Sequence, residues 1–132
     1  MTDLHWLAAT CLVTALCWLP YVLNRVTVIG LGPALGNPKP EHRPLSEWAQ
    51  RMKAAHSNGV ENLVVFAPLL LIANAMGLSG DTTLMLSKVY FLARIAHYIV
   101  YTMGLPVART LAFAIGWLAT LCMAAVVFGG LS

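Results

Sequence analysis

Four apolar blocks, Leu4–Leu23, Leu63–Leu78, Thr83–Met103 and Val107–Leu131, constrain this chain more than any other feature. Each is close to the ~20 residues with which a helix crosses a ~30 Å hydrocarbon layer. Polar and apolar residues do not alternate within them, which excludes the ten-residue strands of a membrane barrel. Only 10% of the 132 residues are charged and 59% are hydrophobic, too little charge to cover a water-soluble domain of this length. The blocks predict an all-α fold: an integral membrane four-helix bundle in one domain over 1–132, with spans near 4–24, 58–78, 83–103 and 107–130. The second block is short unless the polar stretch before it belongs to the same helix.

The first block is expected to stay in the protein, because "MTDL" carries an acid and no Lys or Arg and the apolar run is too long for a removable signal. Cys11, Cys17 and Cys122 lie inside apolar blocks without metal or redox spacing and read as small packing residues, so no metal site is expected. The net charge of +3 contains no basic run, which argues against a nucleic-acid partner. The charge reflects topology. Arg25, Lys39, Arg43, Arg51 and Lys53 fall between the first two spans, whereas "LSGDTT" after the second has no Lys or Arg. The positive-inside rule then predicts a cytoplasmic 25–53 connection in the inner membrane, with both termini outside. Trp6, Trp18 and Tyr21 suit interfacial belts on the first span.

"GLGPALGNPKPEHRP" is punctuated by Gly and Pro and predicts turns without helix. At Ser46, a candidate N-cap, a new helix is expected to begin and to run through "RMKAAHSNGVEN" into the second span. On the resulting topology the intramembrane polar residues converge on one side of the membrane. Arg51, Asn58 and Glu61 fall within about 80° of their helix, and Arg94, His97 and Tyr101 within about 60° of theirs. Arg109 opens the last span at the same side. A charge in hydrocarbon costs ~2.5–3.5 kcal/mol on insertion scales, so this convergence needs a cause. Arg94, ~16 Å into its span, is too deep to reach the headgroups and requires a partner or a ligand. A Glu61–Arg94 ion pair is one such arrangement. Arg25, Arg51, Lys53 and Arg109 also suit interfacial anchors. His56 lies off the stripe and suits a carbonyl cap or a neighbouring subunit. Ala108, Ala112, Gly116, Thr120 and Ala124 recur every four residues, a small-residue seam for close packing within or between subunits.

"RMKAAHSNGVEN" before an apolar span, "RIAHYIVY" and "LPVARTLAF" resemble the MAPEG family, the membrane-associated proteins in eicosanoid and glutathione metabolism, in its bacterial-type form. The resemblance covers almost the whole chain. It implies a homotrimer of four-helix protomers with glutathione, as co-substrate, in a cleft between subunits on the cytoplasmic side. By position it implies that Arg51, Asn58 and Glu61 in the second helix and Arg94, His97 and Tyr101 in the third bind glutathione or support its site. Arg109 then lies near the thiol as the catalytic residue. The chain departs from the family at Ala54 and Ser57, where several members carry arginines, and at Phe113, where some carry a tyrosine.

These readings predict a membrane-bound glutathione-dependent transferase or peroxidase acting on a lipophilic small molecule that arrives from the membrane lipids. A thiol attacks as thiolate, and a guanidinium beside it favours that form. The alternative is a non-catalytic trimer that binds a lipid or thiol ligand, or a membrane partner, in the same cleft. A proton-coupled transporter using Glu61 fits less well, because such small exporters place the essential acid in the first span.

Overall fold

A computed structural model of the chain describes residues 1–129, so the end of the expected fourth span at residue 130 lies outside the described residues. The helices are α1 (Asp3–Leu16), α2 (Leu19–Ile29), α3 (Leu31–Leu35), α4 (Glu47–Ala75), α5 (Asp81–Thr102) and α6 (Pro106–Val127), and no strand occurs among the described residues. Three segments are long and apolar enough to cross a membrane: Asp3–Ile29, α4 and α6. The Asp81–Thr102 helix, counted above as a fourth span, is not among them. Its 22 residues measure about 33 Å, so length is not the reason. It carries Thr83, Ser87, Arg94 and His97, all buried, because α5 packs against α1, α4 and α6 at once. Polar residues that would be costly facing lipid are tolerated where neighbouring helices cover them.

The first span is longer than expected and is interrupted. Pro20 has no N–H to offer the carbonyl of Leu16, so the ladder breaks at Cys17–Trp18 and resumes as α2 with Pro20 in its first turn. Gly30, at φ 86°, ends α2 in a backbone conformation that costs glycine little. The connection that follows is not free of helix: Leu31–Leu35 forms the short α3, with Pro33 in the first turn, where a missing N–H costs nothing.

α4 runs unbroken from Glu47 through the polar motif to Ala75, past Pro68. Its 29 residues measure about 44 Å, more than the ~30 Å of a hydrocarbon core, so the helix is long enough to cross one and extend beyond it. Ser46 occupies the N-cap position, but its hydroxyl does not cap the helix. It accepts from Asn24 Nδ2 at 2.9 Å, while the Ser46 N–H donates to Asn24 Oδ1 at 2.9 Å. This two-point clasp fixes the start of α4 to α2. Tyr21 and His56 join the same helices, Oη to Nδ1, at 2.9 Å. His56 is therefore held within the chain, and Tyr21 is a helix-to-helix contact. Trp6 likewise packs on Phe91, with ring centroids 5.2 Å apart.

The apolar core lies towards the other end of the helices. Phe66 on α4 stacks on Tyr90 of α5 at 3.8 Å between centroids, surrounded by Leu7, Leu70, Leu86 and Met123. Large side chains such as Val64, Leu71, Leu92, Leu111 and Leu118 remain exposed on the outer faces. An apolar exterior of this kind is what lipid solvates.

Candidate functional site

Asn58 on α4, His97 and Tyr101 on α5, and Arg109 on α6 line one cavity of about 180 Å³, completed by Thr110 and Phe113. Four of the seven expected site residues thus meet from three helices. The turn at Met103–Leu105 makes this possible by returning the chain so that Arg109, one turn into α6, faces Tyr101, the penultimate residue of α5. Gly104, at φ 78°, supplies the left-handed residue of that turn.

Arg109 lies over the Tyr101 ring, its Cζ 4.5 Å from the centroid. Stacking on the ring face leaves the in-plane N–H groups free, and none bonds to another side chain or backbone group among the described residues. His97 is buried, edge-on to Tyr101 with centroids 5.4 Å apart, and its Nδ1 has no hydrogen-bond partner among the described residues.

The other three expected residues stand elsewhere. Arg51 donates from Nε to the carbonyl of Thr102 at 2.9 Å and approaches Glu47 at 3.8 Å. It caps the end of α5, where a cation meets the negative end of the helix dipole. Glu61 is exposed, accepts from Ser57 Oγ at 3.5 Å, and forms no ion pair with Arg94. One turn beyond Asn58, it lies outside the cavity lining.

Arg94 is 2% exposed and sits behind the cavity wall without lining it. Its Nη1 donates to Asn58 Oδ1 at 3.2 Å, and its Cζ lies 5.7 Å from the Tyr90 ring and 5.8 Å from that of Phe113. The small-residue seam on α6 makes room for it, because a β-carbon at Gly116 would stand 3.1 Å from Nη2. Ala112, Gly116 and Thr120 are buried, so the central part of the seam serves packing within the chain. Among the described residues, Nε and Nη2 of Arg94 have no acceptor. The guanidinium is held by two aromatic faces and one amide, with no ion pair to a carboxylate among the described residues.

Three features escaped the sequence reading. Asn62 donates from Nδ2 to the Asn58 carbonyl at 2.8 Å and approaches Asn58 Oδ1 at 3.4 Å. The repeat of Asn at i and i+4 in "SNGVEN" was the available signal. A second polar cluster occupies the opposite end of the helices. There the buried Asp3 carboxylate accepts from Thr83 Oγ1 at 2.9 Å and Ser79 Oγ at 3.1 Å, with Asn74 Nδ2 at 3.5 Å. Polar residues therefore collect at both ends. Finally, a wider cleft of about 650 Å³ opens between α2, the connection at 38–45 and α4, lined by Arg25, Lys53, Ala54 and Ser57 among others.

Residues 4–129 match the MAPEG family. Microsomal glutathione S-transferase 1 of Mus musculus is 39% identical over 79 residues, 59% of this chain and 51% of that protein. The protein of the same name from Bos taurus is 38% identical over 76 residues, 57% of this chain and 49% of its own length. The Homo sapiens protein is 34% identical over 76 residues, again 57% and 49%. The matched stretch spans about half the length of these relatives. With almost its whole length matched, this helical integral membrane chain belongs to the MAPEG family.

Proposed function

We propose that the protein is a glutathione-dependent transferase or peroxidase that acts on lipophilic electrophiles at a site shared between copies of the chain. The observation that carries this reading is the meeting of Asn58, His97, Tyr101 and Arg109 in one cavity. The names of its relatives support glutathione as the thiol. α5 serves as a fourth crossing, the 25–53 connection faces the cytoplasm, and both termini lie outside.

Size argues for a shared site. Ligand pockets commonly measure ~300–1,000 Å³, and the cavity holds about 180 Å³. A tripeptide overfills it. The exposed Glu61 carboxylate suits a glutathione amino group in a neighbouring copy, and the family's homotrimer brings such a copy close.

Arg109 is the catalytic residue. Its free N–H groups stabilise the glutathione thiolate, and Tyr101 holds the guanidinium in place through its ring. With a halogenated arene, the thiolate sulfur forms a C–S bond and halide leaves with the bonding pair. With a hydroperoxide, the sulfur takes the distal oxygen as the O–O bond breaks, the alkoxide is protonated, and a second glutathione reduces the sulfenic acid, giving disulfide and water.

The test uses the purified full chain, glutathione titration and conjugation of a chlorinated nitrobenzene. Wild type is expected to bind saturably and to turn over. Arg109→Ala should keep binding glutathione while losing turnover by on the order of a hundredfold. Unchanged turnover with normal binding removes Arg109 from the chemistry. Binding without turnover in wild type favours the non-catalytic ligand-binding trimer, a reading supported by Phe113 standing where some family members carry a phenol.

A further inference from the structure

The geometry assigns Arg94 a role as a positioning residue: it fixes the Asn58 side-chain amide so that Nδ2, a donor, faces the cavity. This inference rests on the reading of that cavity as the ligand site.

Three observations carry it. A guanidinium has only donors, so the Asn58 atom 3.2 Å from Arg94 Nη1 is the carbonyl oxygen. Asn62 confirms the orientation, because its Nδ2 already donates to the Asn58 backbone carbonyl at 2.8 Å and approaches the same Oδ1 at 3.4 Å. Two donors converge on Oδ1, and Nδ2 donates to no protein group among the described residues. Arg94 in turn has no freedom to swing, being 2% exposed between Gly116 and the rings of Tyr90 and Phe113.

The consequence is selectivity. An unrestrained amide rotates and presents either a donor or an acceptor to a ligand. Locked in this way, Asn58 offers a donor beside the Arg109 cation, so that wall of the cavity recognises an acceptor group, a carbonyl or carboxylate oxygen.

The inference is tested on the full chain in nanodiscs with two readouts. In protein labelled with ¹⁵N at asparagine, Arg94→Gln should shift and broaden the Asn58 side-chain amide signal while that of Asn24, clasped to Ser46, stays in place. An unmoved Asn58 signal overturns the inference. This readout needs no ligand, so it stands apart from the functional proposal, which fails if wild type does not bind glutathione. The second variant, Asn58→Asp, keeps Arg94 satisfied and the fold intact but replaces the donor by an acceptor. Its glutathione Kd should rise at least tenfold without loss of Tm, and a wild-type Kd would overturn the assignment of Nδ2 as the ligand donor. If Arg94 acts through Asn58, Arg94→Gln adds nothing to the Kd of Asn58→Ala. An independent further loss means that Arg94 touches the ligand itself, and also overturns the inference.

Discussion

Gly59 and Gly116 occupy helix interiors, where alanine is favoured by about 1 kcal/mol. Each is explained by a side chain lying on it. A β-carbon at Gly59 would meet the Tyr98 phenol, 2.8 Å from its Cζ, and one at Gly116 would crowd the Arg94 guanidinium. Gly59→Ala is therefore expected to destabilise despite the propensity gain, by roughly 1–2 kcal/mol once overpacking is set against it. Gly116→Val should cost about 1–3 kcal/mol and also shift the Asn58 amide by displacing Arg94. Thermal unfolding followed by circular dichroism checks both, and a raised Tm for either contradicts the packing described. At this scale the sequence made the stripe of α5 legible, because spacings of three and four put Arg94, His97 and Tyr101 on one face. It did not separate the residues that line the cavity from those that stand behind it. That distinction depends on which side chain a neighbouring helix covers, and Phe113 and Gly116 on α6 decide it for Arg94.

The start of α4 depends on the Asn24–Ser46 clasp. Asn24→Ala removes both bonds and leaves the Ser46 N–H without that acceptor, a loss of about 1–3 kcal/mol. Limited proteolysis should then cut the connection at 36–46 faster than in wild type, and an unchanged rate would mean the clasp is dispensable. At the other end, Asp3→Ala leaves Thr83 and Ser79 without their shared acceptor and should lower Tm while leaving glutathione affinity within about twofold, since it adds no charge near the cavity. A large change in affinity would show that the two ends are coupled. The helices themselves were legible from the apolar blocks and from the absence of Pro between Ser46 and Pro68. The break at Pro20 and the short α3 were less legible, because a proline can either interrupt a helix or sit in its first turn, and Pro20 and Pro33 both take the second place. The Asp3 cluster was invisible for another reason. Asp3 and Ser79 flank apolar blocks and Asn74 and Thr83 lie near the ends of theirs, where polar residues are ordinary, and the contacts of Asp3 with the other three span 71 to 80 residues of chain.

For the whole molecule, the function proposed requires that Asn58, His97, Tyr101 and Arg109, brought together from helices distant in sequence, form one wall of a glutathione site that a neighbouring copy completes. Three copies per particle are therefore expected by native mass spectrometry from detergent, and a monomer that binds glutathione at full affinity would contradict the shared site. The family match supports the chemistry, and the small cavity with Glu61 exposed outside it supports the sharing. The most direct test is a structure of the protein determined with glutathione present. Ligand density is expected between copies, in contact with Asn58 and Arg109 of one and reaching the Glu61 carboxylate of another. Glutathione bound away from that wall, or no density at a concentration that saturates binding, would contradict it.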